Sequence, residues 1–452
     1  MLVLPPELID KIVERVGKKD ILTLALVNHA LHLHCSRRIY RFVVITSPAS
    51  LMQFCRAVVS RKTHAPHVRN LSIRFKISGR VSLLRAFGNQ VRAATRLLQN
   101  LVALDLRVAV GSSEILNLVE LLSSAQFPAL EDCRIHASVS QWPALVAFLN
   151  RHETLKGLIT NVFHASDALQ PKTLDPGTIS LPNLLRVTAP ITFACGITAG
   201  PHLTKICLIW PDVNDDTQAN SHLAMLSKAL PSISSLEFIV ASWTITCIVQ
   251  PAAEYFSRVS NIAFAVSADN DHVGQWEDFA TAFENVVPSF TRLESLALYV
   301  PCAKDRLAFT MEVLEEEAAL VRRWADLSPN GTLRSILLRS GRPWVLGADT
   351  PGEWAPSALR DLVTELKVDM SETTLSQSSM VMVKWVLRQA LAARAAKREY
   401  SWYVRLLEVI FDSSWVDAVA PFMSAGDIPD FKLIPSTNRG AGAMYKFQIV
   451  FV

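Results

Sequence analysis

The chain has 452 residues, of which 50% are hydrophobic and 19% charged, with a formal net charge of +4. That balance excludes a disordered chain and allows a large core, as about two to four domains or as one extended repeat array. No run approaches the roughly 18 uncharged apolar residues of a membrane span, and the opening MLVLPPELID lacks the basic and continuous apolar regions of a signal peptide.

Charge and thiols narrow the class. Residues 1–110 hold 18 Lys and Arg against 5 Asp and Glu, while the remainder is net acidic. An acidic partner surface is the expected complement. Nucleic acid is the rival, but aromatics that would stack on bases are not interleaved with these arginines. The seven cysteines are scattered with no Cys-x-x-Cys pair, so a cytoplasmic or nuclear setting is expected.

In chain order, the first predicted element is a helix opened by Pro5 and Pro6, where a missing N–H costs nothing. Glu7 and Asp10 suit its positive end. Leu8, Ile9, Ile12, Val13 and Val16 make one apolar stripe, and Gly17 is expected to end the helix in a left-handed conformation. Asp20 is expected to cap a second helix, ILTLALV, so apolar all round that it should be buried on every side. Asn28 is expected to cap a third, with Leu31, Cys35, Ile39 and Phe42 opposite His32, Arg37, Arg38 and Arg41. Three short helices cannot enclose that much apolar surface alone, and the surplus implies a protein partner.

The order Leu4-Pro5-x-Glu7-Leu8-x-x-x-Ile12, then Asp20-Ile21-Leu22-x-Leu24-Ala25-x-Val27, then a basic third helix ending at Tyr40-Arg41, resembles the F-box. Asn28 stands where F-boxes often carry cysteine, and Leu31 and Leu33 where a large aromatic is usual. The resemblance implies docking to the Skp-type adaptor of a cullin-based ubiquitin ligase. It implies Leu4, Pro5, Leu8, Ile9, Ile12, Leu22 and Leu24 as anchors. A helical cap on the following domain is the alternative use of these residues. Residues 1–46 are thus expected to be the F-box and 47–67 a helical linker.

From residue 68 to 452 a phrase recurs: apolar, two variable residues, apolar, one variable, apolar. It appears in VRNLSI, LVALDL, FPALEDCRI, LKGLIT, LPNLLRV, HLTKICLIW, ISSLEFIV, VSNIAFAV, LESLALYV, LRSILLRS and LRDLVTELKV, with helical stretches such as HLAMLSKAL and QWEDFATAFENVV between copies. Strand then helix, repeated, predicts an α/β fold with a mostly parallel sheet. Leu71, Leu104, Leu130, Leu184, Leu236, Leu296 and Ile336 should point inward. The pattern resembles the irregular leucine-rich repeats that follow F-boxes in many fungal proteins, without the usual asparagine of the consensus. The fold class expected is therefore a three-helix F-box followed by an irregular leucine-rich-repeat-like solenoid. An α/β enzyme or a free-standing scaffold is the alternative.

Residues 164–180 and 341–357 are rich in Pro, Gly and Asp and predict loops, the second bearing Trp344 and Trp354; 444–452 predicts a closing strand. No phosphate-binding, nucleophile-elbow or zinc-protease motif occurs, and DVNDD at 212 and DNDHVGQWE at 269 fail the calcium-loop spacing. His29, His32, His34 and Cys35 share no ligand geometry. No catalytic residue, metal or cofactor is assigned. For a recruiting subunit the chemistry belongs to its partners, and the unknown protein target should meet the strand face. The residues expected there are Arg74, Arg107, Tyr299 and Arg339; the loop bearing Trp344 and Trp354 either folds back onto the repeats as a cap or edges this face.

Overall fold

A computed structural model describes the chain apart from residues 1–4, 78–84, 111–124, 138, 163–172, 211–215, 241–245, 267–272, 300–309, 339–342, 347–352, 358–376, 397–400, 402, 405–406, 408–430, 436–446 and 452. The fold is α/β with mostly parallel strands. Two compact units divide it, Met1–Leu236 and Glu237–Val452.

The first unit opens with α1 (Pro6–Arg15), α2 (Lys18–Leu24) and α3 (His29–Arg41). Pro6 takes the first helical position with Glu7 in the first turn, and the Asn28 side chain accepts the Leu31 N–H at 2.8 Å. Gly17 departs from expectation. It is extended, at φ −63° and ψ 155°, and is itself the residue preceding α2, which moves Asp20 into that helix's first turn.

Then follow β1 (Phe42–Ile45), α4 (Pro48–Ser60), β2 (Asn70–Ile77), α5 (Arg85–Thr95), β3 (Ala103–Val110), β4 (Asp132–Ala137), α6 (Trp142–Leu149) and β5 (Gly157–Val162). They are succeeded by β6 (Ile179–Leu181), β7 (Arg186–Pro190), α7 (Ile191–Ala194), β8 (Ile197–Ala199), β9 (Lys205–Ile209) and α8 (Asp216–Ala229). β10 (Ser235–Val240) straddles the division. Strands β1, β2, β3, β4, β5, β7 and β9 pair in that order, all parallel, with β6 and β8 in a small sheet of their own. Phe42, expected at the foot of the third helix, is instead the first residue of the first strand. The segment 47–67 carries the crossover helix to β2.

The second unit continues with α9 (Val249–Tyr255), β11 (Asn261–Val266), α10 (Val273–Val286), β12 (Ser295–Tyr299), α11 (Met311–Leu327) and β13 (Ser335–Leu337). β14 (Pro343–Leu346) and β15 (Trp354–Pro356) add to β13 as antiparallel strands, so the stretch 341–357 is not simply a loop. After α12 (Gln377–Ala395), β16 (Phe431–Pro435) pairs antiparallel with β17 (Phe447–Phe451), which supplies the strand expected near the C-terminus.

The recurring leucines set the register. Leu71, Leu104, Cys133, Leu158, Val187 and Ile206 lie side by side on adjacent strands, each at most 4% exposed. Leu130, Leu184, Leu236, Leu296 and Ile336 are buried as expected. In the first repeats Leu51 and Cys55 of α4 and Val91 of α5 close over Leu71, Ile73 and Leu104, leaving a void of about 10 Å³. Such packing is dry, with little room for even one water.

In the first unit the strands are also tied one residue ahead of the sheet proper. The N–H groups of Arg69, Val102, Glu131, Lys156, Leu185, Thr204 and Ser234 donate to the carbonyls of Arg41, Arg69, Val102, Glu131, Lys156, Leu185 and Thr204, at 2.7–3.2 Å. Side chains reinforce the run: Asn100 donates to the Pro66 carbonyl, Thr154 to Leu130 and Asn183 to Glu153. Backbone groups and mixed Asn and Thr side chains thus share the bonding between consecutive strands.

Candidate interaction surfaces

Two surfaces of the first unit carry more chemistry than its fold uses. One belongs to the three helices. Their own core is small: Val13, Ile21 and Cys35 are buried, with Ile9, Val16, Leu24, Ala25 and Ile39 packed partly against them. Leu8 and Ile12 on α1 remain 45% and 49% exposed, Leu22 on α2 59%, Leu26 84%, Val27 64% and Leu33 on α3 50%. The segment 21–27 is therefore not buried on every side: among the described residues it packs through Ile21, Leu24 and Ala25.

Of the residues expected to anchor an adaptor, Pro5, Leu8, Ile12 and Leu22 are exposed, whereas Ile9 and Leu24 lean on the block's own core. Leu4 lies outside the described residues. Leu26, Val27 and Leu33 were missed, although the all-round apolar character of 21–27 already contained the signal for the first two. Polar contacts brace the block from behind: His34 Nδ1 is 2.5 Å from Asp10 Oδ1, Arg41 reaches Glu14 at 3.5 Å, and His32 Nδ1 is 3.2 Å from the Ala25 carbonyl. Among the described residues no cluster of His, Cys, Asp or Glu is arranged to hold a metal. No described helix is long and apolar enough to cross a membrane.

The other surface is a groove of about 330 Å³ on the face of the sheet opposite α4 and α5, lined from β1 to β5 and β7. Side chains alternate across a strand, so the residues between the buried leucines project here. One rung runs Val44, Ser72, Asp105, Arg134, Ile159, Thr188, and its neighbour runs Phe42, Asn70, Ala103, Asp132, Gly157, Arg186, Lys205.

Charges on these rungs are locked into defined pairs. Arg74 donates from Nε and Nη2 to Oδ2 of Asp105 at 2.9 and 2.6 Å, Ser72 donates to the same oxygen at 3.3 Å, and Arg107 Nε donates to Oδ1 at 2.9 Å. Burial alone would raise the Asp105 pKa, but the hydrogen bonds from Arg107 and Arg74 outweigh it and hold the carboxyl below its ordinary value. Arg186 Nη2 donates to Asp132 Oδ1 at 2.7 Å. Gly157 lies between these two in register. A Cβ there would come within 2.2 Å of Asp132 Oδ1 and 3.0 Å of Arg186 Nε, so the missing side chain lets the pair cross β5.

Arg134, at the centre of the first rung, makes no hydrogen bond or ion pair with any described residue. Two residues on, burial holds the His136 pKa below its usual value; Arg107 and Arg134 push it the same way, against Asp105.

Of the expected target-binding residues, Arg74 lines this groove and Arg107 reaches it through the carboxylate of Asp105 that the two share. Arg339 lies outside the described residues, as does the side chain of Tyr299 in β12. Trp344 and Trp354 need correction: they are buried, at 1% and 5% exposure. The Trp344 indole N–H donates to Glu317 at 3.0 Å and its ring meets Trp385 edge-on at 5.4 Å, while the Trp354 carbonyl accepts the Tyr403 hydroxyl. A tryptophan with its N–H satisfied inside the fold is core, not a docking edge.

Asp132, Arg134 and Arg186 were missed, although placing Cys133 and Ile135 of FPALEDCRI beside Leu104 and Leu106 projects Arg134 next to Asp105. A scan against protein-family models finds no match for this chain, and a search of curated proteins finds no similar sequence.

Proposed function

We propose that the chain is the substrate-recruiting subunit of a Skp–cullin–F-box-type ubiquitin ligase. On this reading α1–α3 are an F-box that docks a Skp-type adaptor and, through it, the cullin scaffold. The remaining strand–helix repeats are an irregular leucine-rich-repeat-like solenoid that holds the target. The observation that carries the reading is the exposed apolar set Leu8, Ile12, Leu22, Leu26, Val27 and Leu33, held out by a block whose own core is three buried residues. Apolar surface concentrated in this way on so small a unit is the mark of a protein interface. Each of those leucines contributes roughly 2 kcal/mol when a partner covers it.

Leu8→Asp tests the proposal. Because Leu8 is 45% exposed in the free chain, the substitution should change folding stability by no more than about 0.5 kcal/mol in urea unfolding. Against an adaptor it buries an unpaired carboxylate, a cost of several kcal/mol, and co-purification of adaptor and cullin from cells should disappear. Undiminished co-purification by a folded Leu8→Asp chain rules the proposal out.

A further inference from the structure

We infer that the strand-face groove binds an extended acidic segment of the recruited protein, one carboxylate of that segment resting on Arg134. The inference relies on the recruiting reading for the ligand's owner; the chemistry of the groove stands on its own residues.

Length comes first. The groove is lined by six adjacent strands. At about 4.8 Å per strand it spans about 24 Å, the reach of roughly seven extended residues and far more than a small anion needs. Charge comes second. Arg74, Arg107, Arg134 and Arg186 face two carboxylates, Asp105 and Asp132, so the face retains a positive excess.

The third point is that this excess is localised. Asp105 is the register neighbour of Arg134, yet it already accepts four hydrogen bonds, from Arg74 twice, Arg107 and Ser72. Three of those bonds fall on Oδ2 and one on Oδ1, so the carboxylate is largely taken up, and no hydrogen bond joins it to Arg134. Asp132 is held across Gly157 by Arg186. Arg134 therefore presents a guanidinium whose fork matches an incoming carboxylate in two parallel bonds.

The rest of the lining fixes what should flank that carboxylate. Ile159 adjoins Arg134 in register, and the groove ends at Val44 and Phe42, which are 57% and 49% exposed. Apolar residues beside the acidic one would cover them. Among the described residues of the lining Phe42 is the only aromatic, so successive bases of a nucleic acid would find no row of stacking platforms there.

The test is a random octapeptide library displayed on phage and selected on the purified full chain, then on Arg134→Glu and the milder Arg134→Gln. Enriched octapeptides should carry two or more Asp or Glu interleaved with apolar residues. A synthetic copy of an enriched octapeptide should bind the full chain and lose at least tenfold in affinity to Arg134→Glu, less to Arg134→Gln. It should also weaken in about 0.5 M salt. Both variants should still co-purify the adaptor. Absence of enrichment, enrichment of neutral or basic octapeptides, or equal binding to Arg134→Glu overturns the inference. So does displacement of the octapeptide by a single-stranded RNA dodecamer, which would assign the groove to nucleic acid. The outcome is separable from the recruiting proposal, which falls only if Leu8→Asp keeps its adaptor.

Discussion

Asp105 is the carboxylate to which the early strands commit most. Its folded-state pKa is depressed, so its stabilisation is fully present above the unfolded value, near 3.8, and is lost as pH falls through the lower folded value. Asp105→Asn should therefore cost about 1 kcal/mol at neutral pH, a figure discounted because Arg74 and Arg107 are 50% and 32% exposed. In urea unfolding the gap between variant and parent should shrink as pH falls below the unfolded value and through the lower folded one; a gap independent of pH would mean that the pairs contribute nothing. Leu71 and Leu104 were legible as core because period-two alternation demands it. Arg134 was not, because its importance arises from how a carboxylate on another strand is shared among Arg74, Arg107 and Ser72. Which of their two expected uses Trp344 and Trp354 serve was not legible for a related reason: Glu317 and Tyr403, which hold them inside, are distant in sequence.

Among the elements, the recurring phrase located strands at ten of its eleven copies, and the eleventh, LRDLVTELKV, lies outside the described residues. Those strands run parallel as the alternation with helices requires. β1 was hidden because FVVI prolongs the apolar face of the helix before it, so that periodicity alone could not separate strand from helix. β14 and β15 were hidden by the turn-rich composition around them. Consecutive strands are joined through Thr154, Asn183 and the backbone, bonds that no recurring residue type announced. Thr154→Val keeps shape and removes the 2.7 Å bond to the Leu130 carbonyl. It should lower stability by about 1 kcal/mol in chemical denaturation, most of it from the carbonyl left unsatisfied. A neutral result would place the whole of that junction's strength in the main chain, where the Lys156 N–H already meets Glu131 at 2.7 Å.

At the scale of the whole molecule, one junction in the first unit matters most. α3 ends at Arg41 and β1 begins at Phe42, with no residue between them, and the Arg41 carbonyl is the first acceptor in the run of bonds that leads from strand to strand. Tyr40 stacks on His64 at 4.5 Å beside the same joint. The helix that presents Leu33 and the strand that presents Phe42 and Val44 therefore cannot swing independently. On the recruiting reading this joint is a fixed arm: whatever lies in the groove is carried at one bearing and one distance from the ligase. Only those lysines of the cargo that fall within a narrow arc would then come under the transferring enzyme. Inserting a Gly–Ser pair between Arg41 and Phe42 should leave capture of adaptor and target intact while spreading ubiquitin over additional lysines, as mapped by mass spectrometry of the modified target. An unchanged lysine pattern would mean that selectivity among sites is decided by the target's own shape rather than by the stiffness of this arm.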